Sequence, residues 1–180
     1  MENLNIALIG CGMIGREHIE RIQNRIRNAR IVAVCDVFEE GAKKGAEIAG
    51  AGTKVYTDFN EAINDPDVNA VVVTTPGQFH KGPVLAAMKA GKPVFCEKPL
   101  AKTIEDCEEI EKAVAENGSK CFTVGFMRRF DPSYAEAKEK IRAGAIGKPI
   151  LFKGVSLDPS SVLEAHLEGV KKGIYVPWFI

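Results

Sequence analysis

The sequence predicts an α/β protein built on a doubly wound parallel sheet, and three observations predict it. Short β-branched apolar runs alternate with amphipathic stretches along most of the chain. The runs are nearly continuous in apolar residues, the pattern of strands buried on both faces of a sheet. The stretches between them carry recognisable helix starts and stops, and strand–helix alternation favours parallel strands joined by right-handed crossovers.

Taken in order, Asn5–Ile9, Ile31–Cys35, Ala70–Thr74, Pro93–Cys96 and Cys121–Val124 are expected strands, with Lys54–Tyr56 a shorter one. Met13–Arg27 is expected to be helical, because Ile14, His18, Ile22 and Ile26 recur at helical spacing. Thr103-Ile104-Glu105-Asp106 resembles a capping box opening a helix that stops at Asn117-Gly118. Asp131-Pro132 supplies an N-cap with proline at the first helical position, and that helix is expected to end near Ala143-Gly144. From Pro149 the rhythm changes. Pro149–Val155 reads as a strand, Ser161–Lys172 as a helix and Ile174–Ile180 as an apolar extended tail. A boundary is placed near Phe126–Asp131, giving domains 1–126 and 127–180, the second short for a domain with its own core.

Bulk composition narrows the function classes. Lys+Arg and Asp+Glu are equal at 24 each, so no global field favours nucleic acid or an anionic membrane. No apolar run approaches the roughly 20 residues of a spanning helix, and the start is too soon interrupted for a signal peptide. Cys11, Cys35, Cys96, Cys107 and Cys121 are odd in number, and no pair has the spacing of a metal site. Three of them (Cys35, Cys96 and Cys121) fall in expected strands, where a free thiol behaves as a small core hydrophobe. A reduced, cytoplasmic protein without metal is the expectation.

Gly10-Cys11-Gly12-Met13-Ile14-Gly15 is a GxGxxG that follows a strand and opens a helix. In that context Gly10 permits a tight turn, Gly12 lets a pyrophosphate approach the backbone and Gly15 lets the helix pack on the sheet. Helix N-terminal amides then hold the phosphates without a lysine. Asp36 ends the second strand about 20 positions past Gly15, where a carboxylate accepts from both ribose hydroxyls. It would repel a 2′-phosphate, and Val37 and Phe38 offer no arginine to attract one, which favours NAD over NADP. Met13, Ile14 and Val37 complete the expected contacts of this end of the cofactor.

Further along, Thr74-Thr75-Pro76-Gly77-Gln78-Phe79-His80 follows one strand and Glu97-Lys98-Pro99 the next. With the glycine loop, this set resembles the Gfo/Idh/MocA oxidoreductase family, and Val124–Tyr134 looks like its inositol 2-dehydrogenase branch. The resemblance implies a Rossmann domain followed by an α+β domain, of which this chain would hold only the truncated start. It implies transfer of a hydride between NAD and a polyol or sugar hydroxyl carbon, with myo-inositol as the polyol of that branch. Lys98 matches the lysine that hydrogen-bonds the reacting hydroxyl and supports proton transfer, before a peptide bond to Pro99 that is cis in the family. Glu97 matches a position near the nicotinamide ribose. Thr74, Thr75 and Pro76 match the loop along the adenosine-side ribose and pyrophosphate. Arg128 matches an arginine at the cofactor–substrate junction, while its neighbour Arg129 is equally a solvated or ion-paired residue. Asp158 falls where these enzymes place a polar substrate contact, and Asp158-Pro159 is equally a turn signal. His80 matches the histidine closing the threonine loop, with the role of holding it. His18 reads as structural, and His166 as solvated.

The family also carries an Asp-x-x-x-His pair, and none of the three histidines here has that spacing to an upstream aspartate. General-base help is typically worth about 10²-fold or more, so these 180 residues are expected to bind NAD but to be catalytically impaired. Two other readings stand beside this one. One is a non-catalytic NAD-binding module or sensor. The other is a related dehydrogenase for another sugar or inositol isomer. The apolar C-terminal region is expected to mediate homo-oligomer formation.

Overall fold

The computed structural model describes residues 3–117, 121–155, 164, 167, 168 and 171. Six parallel strands form one sheet: β1 (Leu4–Ile9), β2 (Ala29–Cys35), β3 (Lys54–Tyr56), β4 (Ala70–Val73), β5 (Val94–Cys96) and β6 (Phe122–Val124). Their spatial order is β3-β2-β1-β4-β5-β6. The crossovers are α1 (Met13–Arg25), α2 (Glu39–Ala49), α3 (Phe59–Asn64), α4 (Lys81–Lys89) and α5 (Ile104–Glu116), and α6 (Pro132–Arg142) follows the sheet. The order reverses between β1 and β4, which opens a crevice beyond their carboxyl ends, where doubly wound folds bind ligands.

Helices cover both faces, and this is why the strands are apolar throughout. Ile6 and Leu8 of β1 pack with Ile19 and Ile22 of α1 on one side. Ala7 and Ile9 pack on the other side with Ile63, Val84, Met88 and Ile110 of α3, α4 and α5. On β2 the alternation slips once: Ile6 pairs with Ile31, but Ala7 pairs with Ala33. Val32 is the extra residue of a bulge, and it joins Ala33 on the same face.

Several expected boundaries move by a residue or two, as fraying ends do. Two differences are larger. The buried stripe of α1 is Gly15, Ile19 and Ile22, whereas Ile14 and Ile26 are exposed. The close approach of Gly15 to the strand sets the helix's rotation and turns the expected Ile14–Ile26 stripe partly outward. Pro149–Val155 is not a strand. A strand needs a partner ladder, and none of the described residues supplies one, so Ile150, Leu151, Phe152 and Val155 lie exposed. Cys121 likewise precedes β6 and is exposed.

Helix ends follow the sequence cues more closely. Thr103 caps α5 by accepting from the Asp106 N–H, but the Asp106 carboxylate turns away to Lys81 on α4 instead of closing a reciprocal box. Asp131 caps α6 by accepting from the Ser133 N–H at 3.0 Å. The chain divides into two units, Met1–Gly125 and Phe126–Ile180. In the second, none of the described residues is buried. Of the expected helix over Ser161–Lys172, residues Glu164, Leu167, Glu168 and Lys171 are helical, and the tail Ile174–Ile180 lies outside the described residues. Among the described residues no helix is long and apolar enough to cross a membrane.

The short edge strand β3 is held by a buried carboxylate. Asp65 is 6% exposed and accepts from Lys54 Nζ at 2.7 Å, the Asp67 N–H at 2.8 Å and the Tyr56 hydroxyl. Burial alone would push its carboxyl up, but those three donors outweigh it and hold the group down at about 2, below the ordinary 3.8. A depressed carboxyl stabilises the fold above its unfolded value and loses that contribution as pH falls through the folded one. Asp65→Ala is therefore expected to cost about 2 kcal/mol at pH 7 by urea unfolding. The gap from the unsubstituted chain should close as pH falls from about 4 to about 2. A gap independent of pH would assign the cost to packing instead.

Candidate functional site

The three glycines of the first turn do different work. Gly10 follows β1 with φ +100°, and a Cβ there would lie 2.6 Å from the Thr75 nitrogen. At Gly15 a Cβ would fall 2.0 Å from the Gly10 carbonyl oxygen and 2.9 Å from Thr74 Oγ1. That contact lets α1 begin directly against the strand turn. At Gly12 a Cβ would meet nothing within 4 Å, so the backbone faces open space. Gly12 is also the N-cap of α1, and no side chain caps the helix. The first amides of a 13-residue helix are thus aimed at that space without an intramolecular side-chain acceptor. Met13 and Ile14 are exposed on its flank.

At the end of β2, Asp36 is joined to the same turn. Its Oδ2 accepts from the Cys11 N–H at 2.8 Å, and its Oδ1 from the Phe38 N–H at 3.0 Å. Each oxygen retains acceptor capacity for a further donor. Val37 and Phe38 are exposed beside it and form an apolar rim. The Cys11 thiol is pushed up to about 12, by burial first and then by the nearby Asp36 charge, so it stays protonated. Cys35 and Cys96 are pushed up to about 12 mainly by burial. These three cysteines are core atoms, and no described group of three His, Cys, Asp or Glu residues is arranged to hold a metal.

The loops after β4 and β5 flank the glycine turn. Thr74 Oγ1 donates to the Gly10 carbonyl at 2.6 Å, which makes it a brace for the turn. Thr75 Oγ1 is buried without a hydrogen-bond partner, an orphan acceptor and donor in the loop after β4. Pro76 is exposed. His80 is fully buried: its Nδ1 lies 2.8 Å from the Pro99 carbonyl and its Nε2 lies 2.6 Å from the Thr75 carbonyl. With both nitrogens spent on backbone, His80 pins the loop after β4 to the loop after β5.

Glu97 is anchored by its N–H to the Val73 carbonyl at 2.9 Å, and its Oε2 accepts from the Lys98 N–H at 3.1 Å. Lys98 is exposed, and its peptide bond to Pro99 is cis, as the resemblance implied. The structure brings Gly10, Gly12, Gly15, Asp36, Thr74 and Thr75 around the carboxyl ends of β1, β2 and β4, with Glu97 and Lys98 at the end of β5. Arg128 belongs to the second unit, on the turn Met127–Arg129. There it pairs with Asp131 at 2.9 Å and lies 5.4 Å from the Tyr134 ring centre; Arg129 is exposed. Asp158 and His166 lie outside the described residues.

His18, read as structural, reaches from α1 to the end of β5. His18 Nε2 is 2.9 Å from Glu97 Oε1, across 79 positions of sequence. Its spacing from Gly15 places it one turn into α1, but nothing in the sequence marks a partner so far away.

An uncapped helix start, an open approach at Gly12, a carboxylate at the ribose position and an orphan hydroxyl together fit a dinucleotide. The comparisons agree. A family model described as an oxidoreductase family with an NAD-binding Rossmann fold matches residues 4–126. Inositol 2-dehydrogenase of Azotobacter vinelandii is 47% identical over 149 residues, covering 83% of this chain and 44% of that protein. Among solved structures, myo-inositol dehydrogenase from Lactobacillus casei in complex with NAD(H) and myo-inositol superposes with a TM-score of 0.79 at 38% identity. That match covers 82% of this chain and 44% of the other. The scyllo-inositol dehydrogenase of the same organism, with bound NAD(H) and scyllo-inositol, gives a TM-score of 0.87 at 30% identity over 95% of this chain and 50% of that one. The chain spans about half the length of the relatives it matches. On the glycine turn, the sheet order and the family match, this chain belongs to the Gfo/Idh/MocA oxidoreductase family.

Proposed function

We propose that these residues are the cofactor-holding part of an NAD-dependent inositol 2-dehydrogenase, acting on myo-inositol or a similar polyol. The observation that carries the reading is the uncapped start of α1 at Gly12, open to a pyrophosphate and flanked by Asp36. When bound, NAD supplies the acceptor for a hydride from the polyol carbon. The chain's own residues bind and orient. Backbone amides of Met13, Ile14 and Gly15 take the phosphates, Asp36 takes the ribose hydroxyls, and Thr75 offers its unpaired hydroxyl. Lys98 hydrogen-bonds the reacting hydroxyl and supports its proton transfer, Glu97 lies beside the nicotinamide ribose, and Arg128 and Asp158 have the residue types of polyol contacts. His80 holds the loop that carries Thr75 and Pro76.

Cofactor choice follows from charge. The Asp36 carboxylate opposes a 2′-phosphate, and neither Val37 nor Phe38 supplies a counter-charge, so NAD is favoured over NADP. The exposed Ile150, Leu151, Phe152 and Val155 support self-association through the C-terminal region. Sedimentation velocity should show concentration-dependent dimers or larger species, and a strict monomer at high concentration would overturn that part.

Calorimetric titration tests the reading directly. NAD should bind, and NADP should bind at least about tenfold more weakly, a difference of 1.4 kcal/mol. Equal or tighter NADP binding would overturn the role of Asp36.

The glycines separate binding from folding. Gly12→Ala should fold with a stability loss of no more than about 1 kcal/mol, yet bind NAD at least tenfold more weakly, because its methyl enters the phosphate approach. Gly15→Ala meets a backbone oxygen that cannot yield and should lose about 3 kcal/mol or more by thermal or urea unfolding. Equal effects of the two would dissolve the distinction.

A further inference from the structure

His18 and Glu97 join the two working ends of the first unit, and the contact is built rather than incidental. The two side chains are 20% and 18% exposed, so neither is free to wander in solvent. An ionised carboxylate only accepts, so the His18 Nε2–H donates to Glu97 Oε1. The Phe95 ring stands edge-on to the imidazole, with centroids 5.6 Å apart and planes at 66°. Gly125 keeps the space clear: a Cβ there would lie 2.9 Å from the Phe95 ring and 3.3 Å from Glu97 Oε1.

The carboxylate is shared between a helix and a peptide group. Its Oε1 is held by α1, and its Oε2 accepts the backbone N–H of Lys98 at 3.1 Å. Glu97 itself is fixed at its own N–H to Val73. The direction of its side chain is thus fixed jointly by His18 and the Lys98 N–H. His18 lies one turn beyond Gly15, on the helix whose first amides face the phosphate site. An anion that satisfies those amides stiffens the first turns of α1, and His18 rides on them.

We infer that His18 is a positioning residue that couples occupancy of the glycine loop to the backbone of Lys98 through the Glu97 carboxylate. The inference rests on the nucleotide-site reading above. Its consequence is that the lysine loop is ordered when the phosphate end of the cofactor is seated, before anything reaches the lysine directly.

ADP is the probe, because it fills the glycine loop and the Asp36 side but lacks the nicotinamide half that would touch Lys98 itself. Backbone amide exchange at Lys98, followed by NMR, reads the coupling, and calorimetry reads ADP binding. In the unsubstituted chain, saturating ADP should slow Lys98 exchange at least threefold. His18→Leu should still bind ADP within threefold of the unsubstituted chain but lose the slowing. His18→Gln, whose amide nitrogen can reach Glu97, should restore at least half of it. Glu97→Ala leaves α1 intact and should abolish the response with ADP still bound, so the test does not hang on the folding of one variant. Equal slowing in His18→Leu, or none in the unsubstituted chain with ADP bound, would overturn the coupling alone. Failure of the unsubstituted chain to bind ADP would overturn the nucleotide site, and the coupling with it.

Discussion

The contact between Gly15 and the Gly10 carbonyl governs the rest of the site. Where a Cβ would stand 2.0 Å from that oxygen, α1 can start only if the residue has no side chain. This approach brings the helix's first amides to the crossover between β1 and β4. It also sets the rotation of α1, which sends Ile19 and Ile22 into the sheet and leaves Met13 and Ile14 at the surface. Thr74 secures the turn from the far side by donating to the same carbonyl. Removing any of these small groups would move a helix, not a side chain.

Much of this was legible because its signals are local and strong. The strand runs declare burial on both faces, and Gly10, Gly12, Gly15 and Asp36 are spaced by the geometry of one βαβ unit. Where the signal was weak the physical reason is visible. Helix α2 buries Ala42, Gly45 and Ala49, residues too small to write an apolar stripe, and Gly45 is small because Cys11 Sγ would lie 2.8 Å from a Cβ. Ile14 and Ile26 keep helical spacing but sit off the buried face, since sequence periodicity does not say which stripe a close-packed turn selects. Pro149–Val155 has strand composition, but composition supplies no hydrogen-bonding neighbour. The contacts of Asp65 with Lys54 and Tyr56 and the His18–Glu97 contact join residues 9 to 79 positions apart, distances over which no local pattern carries information.

The electrostatic design explains why an evenly charged chain suits an anionic cofactor. The uncapped start of α1 directs backbone dipoles, and so partial positive charge, toward the space at Gly12. A single carboxylate then does two jobs. Asp36 is aimed by the Cys11 N–H, an amide of the very turn that faces the pyrophosphate. On the proposed roles, the ribose acceptor is therefore positioned by the phosphate loop itself, and the two would be tuned together. A substitution at Asp36 that admitted a 2′-phosphate would also release the Cys11 amide and slacken the turn. On the proposed roles, cofactor selectivity would be tied to loop geometry, and relaxing it would weaken phosphate binding unless another acceptor took over the Cys11 N–H.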